Sequence, residues 1–393
     1  MAIAQKIKNY MEHASWIRKM FEQGIELKSK FGPERVFDFS LGNPNLEPPV
    51  QVEQAMLQVL HAKTIGKHAY MPNAGLKETR EAVAVLLSKD HELNVSWEQI
   101  IMTCGAGGGL NVALKTLLDP GDEVIVLTPY FVEYFFYIEN HNGIGILVDT
   151  KEDFTLDITA IAKAITEKTK AIIINSPNNP TGRVYPKESL LDLGKTLDNI
   201  KGKFGRVIYL LSDEPYSKLV YDGVKVPSIF QVYPHSLLIT SHSKDLSLPG
   251  ERIGFIGVNP RMANWKEVVD GLTFSNRILG FVNAPALMQR IIPLLAGVSV
   301  DVNEYKRKRD LLGQGLAQAG YSFQKPEGAF YLFPKSPNRD DGQFVHELLQ
   351  HNILAVPGMG FGRPGYFRIA YCVDDRVILG SMEGFRKAII KYS

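Results

Sequence analysis

The chain has 393 residues, with 44 basic and 42 acidic side chains and a formal net charge of +2. That balance gives no electrostatic case for nucleic acid or an anionic membrane as partner, and no run reaches the about 18 apolar residues that a membrane helix needs. Only two cysteines occur, Cys104 and Cys372, in neither a CxxC pair nor a ligand cluster, so the expectation is a reducing, cytoplasmic setting with no metal.

At the start of the chain, Lys6, Lys8, Glu12 and His13 place charges where a signal peptide would be apolar. Ile7, Met11, Trp16, Ile17, Met20 and Phe21 recur at roughly helical spacing instead. A crossing rich in Gly and Pro follows, with Gly32-Pro33, Gly42-Asn43-Pro44 and Pro48-Pro49. Seven short apolar runs come next: Ile100–Thr103, Glu123–Leu127, Ile144–Val148, Ala171–Asn175, Val207–Ser212, Leu237–Ser241 and Ile253–Val258. Several are apolar throughout, as strands buried on both faces of a mainly parallel sheet are. Helical patterns such as Gly109–Leu118 and Lys187–Asp198 separate them, a rhythm that predicts an α/β fold. A charged helix over Asn303–Gln318 opens a different region, with short strands near Ala329–Phe333 and Phe367–Tyr371 and helices at Gln343–His351 and Val377–Lys391. The expected organisation is a large unit over 45–295, with a seven-stranded sheet flanked by helices, and a smaller α+β unit built from 1–44 and 296–393.

Four segments carry candidate chemistry. Thr103-Cys104-Gly105-Ala106-Gly107-Gly108-Gly109 is a glycine-rich turn between a strand and a helix, and free N–H groups at a helix start bind phosphate well. It nearly imitates a dinucleotide fingerprint, but Leu110 stands where the third glycine belongs. Asn175-Ser176-Pro177-Asn178-Asn179-Pro180-Thr181-Gly182 is dense in turn formers, so a plain turn also explains it. Ser212-Asp213-Glu214-Pro215-Tyr216 puts a carboxylate at a strand end, either in the crevice where α/β sheets bind ligands or as a helix cap. Ser241-His242-Ser243-Lys244, with Arg252 eight residues on, offers a lysine that burial could turn into a nucleophile, or an ordinary surface lysine.

Their order and spacing resemble the class I and II aminotransferases, the pyridoxal phosphate enzymes of fold type I, from about Phe37 to Arg368. The most specific parts are the S-P-N-N-P-T-G loop, D-E-P-Y and S-x-S-K. The resemblance implies that Lys244 holds pyridoxal 5′-phosphate as a Schiff base and then shuttles the proton. It implies that Asp213 pairs with the ring nitrogen, and that Asn179 and Tyr216 hydrogen-bond the ring hydroxyl oxygen. Phe131 matches the ring-stacking position. Gly105, Ala106, Gly107, Ser241, Ser243 and Arg252 match the phosphate cup. Arg368 matches the residue that grips the substrate α-carboxylate, and the Gly42 N–H meets the same group. Tyr70 matches a tyrosine that reaches the phosphate of a neighbouring subunit, which implies a homodimer with shared sites.

The implied activity is transfer of an amino group from an L-amino acid to a 2-oxo acid by a ping-pong route, with an aspartate-like or other donor. A carbon–sulfur β-lyase is the alternative, since both reactions draw electrons from Cα. A non-catalytic binding protein and a nicotinamide dehydrogenase fit the intact set of residues less well. Two positions depart from the family pattern. His242 stands where an apolar or small residue is usual, and Gly107 replaces a lysine that many bacterial aspartate-type members carry. The aromatic run Phe131, Tyr134, Phe135, Phe136 and Tyr137 reads equally as a pocket or as a helix packed on the core.

Overall fold

The structure, a computed structural model, describes residues 2–12 and 16–392. Seven strands form the main sheet: β1 Ile100–Thr103, β2 Glu123–Thr128, β3 Ile144–Asp149, β4 Thr169–Asn175, β5 Tyr209–Asp213, β6 Ser236–Ser241 and β7 Gly254–Val258. They lie in the order β1-β7-β6-β5-β4-β2-β3. β7 runs antiparallel to both of its neighbours, and every other pairing is parallel. This is the α/β fold that the alternating runs predict.

The β-branched and leucine residues of the central strands divide between two cores because successive side chains point to opposite faces. Met102, Ile125, Ile172, Ile174, Leu210 and Leu238 fall in one cluster. Ile101, Val124, Val126, Ile173, Leu211, Ile239 and Ile256 fall in the other. The edge strand β3 departs from that pattern. With a neighbour on one side only, it leaves Ile144 and Leu147 about half exposed.

A third apolar cluster joins Met20 and Phe39 from the start of the chain to Leu312, Phe330, Phe344, Ile369 and Phe385 from its end. It surrounds a three-stranded antiparallel sheet formed by Tyr331–Leu332, Val356–Pro357 and Phe367–Ala370. Tyr216, Leu219 and Tyr221 join the same cluster, so the turn after β5 packs directly against this second sheet. The helix expected at the start of the chain is present as Gln5–Glu12 and Trp16–Phe31, with Met20 buried and Ile7 and Met11 exposed. His13, and the side chains of Trp16, Ile17 and Phe21, lie outside the described residues.

The topology gathers the four sequence segments at one edge of the sheet. β4, β5 and β6 run parallel and end there on Asn175, Asp213 and Ser241. β1 ends there too, since Thr103 and Ser241 both pair with Gly254 at the opposite end of β7. The carboxyl edge of such a sheet is where α/β folds bind ligands.

Candidate active site

A cavity of about 310 Å³ opens at this edge. Gly42, Ala106, Gly107, Phe131, Asn179, Asp213, Tyr216, Ser241, Ser243, Lys244, Arg252 and Arg368 all line it. Sequence positions as far apart as 42 and 368 therefore converge on one volume. Gly105 lies just behind the wall, where a Cβ would come within 2.7 Å of the Arg252 Nη2. Tyr70 is not part of this cavity; it is 89% exposed, in a surface hollow beside Gly280 and Phe281.

The glycine-rich segment differs in detail from its sequence reading. The helix begins at Gly105, not at Gly109, so the glycines form its first turn. The first N–H groups of a helix have no partner within it, and small residues leave them open to the cavity. Asp213 likewise caps no helix. It is the last residue of β5, and a turn over 215–218 follows it.

Asp213 is buried. Its Oδ2 accepts from the Tyr134 hydroxyl at 2.5 Å, and its backbone carbonyl accepts from Asn175 Nδ2 at 2.8 Å. Its Oδ1 has no hydrogen-bond partner among the described residues. Burial pushes the carboxyl up to about 7, against the Tyr134 hydrogen bond, which favours the ionised form. A cationic or neutral N–H placed at Oδ1 would satisfy this atom and favour ionisation. Lys244 Nζ donates to the Gly42 carbonyl at 2.8 Å. Burial lowers its pKa to about 8, so an appreciable fraction is free amine near neutral pH.

Arg368 is 2% exposed and has no carboxylate partner among the described residues. Its Nη1 donates to Asn179 Oδ1 at 3.1 Å and its Nη2 to the Ser40 carbonyl at 2.5 Å, while Nε stays unpaired. The rings of Tyr331 and Phe361 flank it at 4.7 and 4.9 Å. A buried guanidinium without an anion is costly, so the arrangement suits a ligand carboxylate. Among the described residues Arg252 donates only to the Pro249 carbonyl, at 3.0 Å, and Ser241 and Ser243 hydrogen-bond each other at 3.0 Å. Gly42 is fixed by close approach: a Cβ there would collide with the Tyr331 hydroxyl.

Sequence reasoning missed several contributors. In the sequence Tyr134 stands out only as part of an aromatic run, although it lies one helical turn from Tyr137 and three residues after Phe131, whose ring it meets edge-on at 5.6 Å. Asn175 sat within the turn-rich loop, yet it braces both Asp213 and the Asn179 backbone N–H. Tyr331 sits in a short strand with no motif, and its hydroxyl lies 2.9 Å from that of Tyr216, 115 positions away in the chain. The aromatic run resolves into mixed roles. Phe131 and Tyr137 line the cavity, Tyr134 holds Asp213, Phe135 packs on Tyr130 and Phe136 packs on Tyr10.

His242 points elsewhere. Its Nδ1 lies 3.1 Å from Asp245 Oδ2, and it lines a second cavity of about 370 Å³. Gly107 faces Tyr137, whose hydroxyl takes up part of the space that a longer side chain there would need.

The chemistry available is therefore an amine that can act as a nucleophile, a carboxylate short of one donor, and arginines without anions. The model of the family "Aminotransferase class I and II" matches residues 34–379. A probable aspartate aminotransferase of Methanocaldococcus jannaschii is 34% identical over 342 residues, covering 85% of this chain and 88% of the relative. The aspartate/prephenate aminotransferase of Thermus thermophilus is 33% identical, with 88% and 89% covered. A crystal structure of an aminotransferase from Eubacterium rectale superposes with a TM-score of 0.97 at 37% identity over all of both chains. The Thermus thermophilus aspartate aminotransferase with maleate gives 0.87 at 29%, covering 99% and 100%. Site chemistry and a match over most of the chain agree: this chain belongs to the class I and II aminotransferases, pyridoxal 5′-phosphate enzymes that move an amino group from an L-amino acid to a 2-oxo acid.

Proposed function

We propose that Lys244 is the residue that carries the cofactor and moves the proton, with Asp213, Arg252 and Arg368 holding cofactor and substrate around it. The observation that carries this reading is the unpaired Oδ1 of buried Asp213 in the same cavity as the Lys244 amine. The residues present fit pyridoxal 5′-phosphate. Asp213 Oδ1 suits the protonated ring nitrogen, Phe131 offers a ring face, and Asn179 and Tyr216 offer polar atoms for the ring hydroxyl oxygen. The start of the helix at Gly105, Ser241, Ser243 and Arg252 form a cup for a phosphate.

When bound, the cofactor supplies a carbonyl that condenses with amines and a ring that withdraws electrons from the substrate Cα. Asp213 holds its negative charge against the ring nitrogen. Arg368 binds the α-carboxylate, with the Gly42 N–H as a second donor, and so turns the Cα proton toward the lysine. With the cofactor and substrate bound, Lys244 Nζ would be the base that takes that proton. Tyr331 and Tyr216 close the side of the cavity beside Arg368 and keep water from the reacting carbon.

The relatives are named a probable aspartate aminotransferase and an aspartate/prephenate aminotransferase, which makes an aspartate-like dicarboxylic donor the first to test. The cations lining this chain's cavity, Lys244, Arg252 and Arg368, are already assigned. A side-chain carboxylate therefore takes its partner from a neighbouring subunit. We infer a homodimer on the same ground, with Ile65, Tyr70 and Ile278 left exposed for the contact. The small unit of residues 1–44 and 296–393 supplies Gly42, Tyr331 and Arg368, and the large unit of 45–295 supplies the rest. No described helix is long and apolar enough to cross a membrane, and two free cysteines fit a cytoplasmic setting. Conversion of the bound cofactor to its amino form by a panel of L-amino acids tests the reading. Conversion by aspartate and glutamate is expected; a protein that acquires no cofactor absorbance would refute it.

A further inference from the structure

The phosphate cup as read above is made of backbone N–H groups, two serines and Arg252. One further donor faces the same space. Tyr137 lies on the short helix Tyr134–Glu139 and lines the cavity with Ala106, Gly107 and Arg252. A Cβ built on Gly107 would sit 3.0 Å from the Tyr137 hydroxyl oxygen. The hydroxyl thus stands over the first turn of the helix that begins at Gly105, where the N–H groups are free.

The other tyrosines of the site are engaged. Tyr216 and Tyr331 hydrogen-bond each other at 2.9 Å, and Tyr134 donates to Asp213 at 2.5 Å. Among the described residues Tyr137 has no such partner, and its hydroxyl is not sealed in the core. Burial first, then Glu133 and Asp213, push its phenol up to about 12, while the Arg252 guanidinium pulls the other way. It is a protonated donor at neutral pH, beside a cation that has no anion.

We propose that the Tyr137 hydroxyl is a further ligand of the cofactor phosphate, supplied from within the same chain. This rests on the reading of Gly105–Gly107 and Arg252 as the phosphate cup. Glycine at 107 then has a local reason: a side chain there would displace the hydroxyl.

The test uses the full chain, stripped of cofactor and reloaded either with pyridoxal 5′-phosphate or with pyridoxal, which lacks the phosphate. Tyr137→Phe should weaken the phosphorylated cofactor about tenfold, as loss of one hydrogen bond to a charged group does, and leave pyridoxal unchanged. The ³¹P resonance of the bound cofactor should move. Gly107→Ala, which sets a methyl against the hydroxyl without removing it, should show the same selective loss, and serves if the first variant folds poorly. Equal weakening of both ligands, or no weakening of either, overturns the proposal. So does an unchanged cofactor affinity with altered kcat/KM among donors, which would assign the hydroxyl to the substrate side chain. Wild-type protein that binds the phosphorylated form no better than pyridoxal would instead refute the cup itself.

Discussion

The segment Ser241–Asp245 has two faces that open on two cavities of similar size. Ser243 and Lys244 face one, His242 and Asp245 the other, and Ser241 borders both. On the first side, Lys244, Arg252 and Arg368 have no carboxylate partner among the described residues, and Asp213 keeps one oxygen unpaired. On the second, Asp245 finds a cation within the chain, although its Oδ1 and His242 Nε2 also lack a hydrogen-bond partner among the described residues. Asp245 Oδ2 meets His242 Nδ1 at 3.1 Å and Lys218 Nζ at 3.2 Å, and these partners hold its carboxyl below its usual range despite burial. Volume does not separate the two. The difference lies in the cations: Lys218 pairs with Asp245 on the second face, whereas Arg368 on the first is buried with no anion, the arrangement a ligand carboxylate explains.

The largest expected effect breaks the first face at its centre. Lys244→Ala should lower transamination on the order of 10⁴-fold, the upper range for a positioned acid–base group. The protein should still take up the cofactor non-covalently. Stopped-flow turnover and the absorbance of the loaded protein read both, and near wild-type turnover would reject the assignment. Arg368→Ala should follow with a loss of about 10²-fold in kcat/KM for amino acid donors, the scale of two charge-assisted hydrogen bonds. The cofactor spectrum should change little. An unchanged kcat/KM would mean that the buried guanidinium only braces Ser40 and Asn179.

Asp213 sharpens the comparison through pH. Its carboxyl titrates near 7 in the folded, cofactor-free protein and near 3.9 when unfolded. Between those values the folded state holds a proton that the unfolded state has released. Stability therefore falls as pH rises from about 4 to 7, and the loss is complete above 7. Asp213→Asn removes this dependence. The cofactor-free variant should gain on the wild type as pH goes from 5 to 8, by roughly 1–4 kcal/mol, while losing activity. Thermal melts across that range decide it, and a constant offset between the two proteins would show that Asp213 is already ionised when the site is empty.

Much of this was legible in the sequence, for a local reason. The central strands are largely apolar runs that end on polar segments, so the motifs at 105, 179, 213 and 244 are marked by their place after a strand. Arg368 stood out as a cation within apolar neighbours. Contacts between segments left no such mark. Tyr331 and Tyr216 meet only because the small sheet packs on the turn after β5, and Tyr134 reaches Asp213 across 79 positions. The start of the helix at Gly105 was hidden because five small residues carry no helical periodicity; the structure supplies the reason in the packing of Leu110, Val112 and Leu114 below it.

His242 gives the smallest effect and the most direct test of the two-faced segment. Its backbone is clamped on both sides: the N–H donates to the Ile253 carbonyl at 3.0 Å, and its carbonyl accepts from the Leu248 N–H at 3.3 Å. The imidazole lies 6.1 Å from the Phe255 ring, and both line the second cavity. A side-chain change should therefore leave Lys244 in place. His242→Gln replaces the imidazole donor near Asp245 Oδ2 with a flexible amide, so a stability loss of about 1 kcal/mol is expected from one altered hydrogen bond. Cofactor affinity and absorbance should stay as in the wild type. If the absorbance of the bound cofactor shifts instead, charge on the second face is felt at Lys244, and the two cavities act as one electrostatic unit.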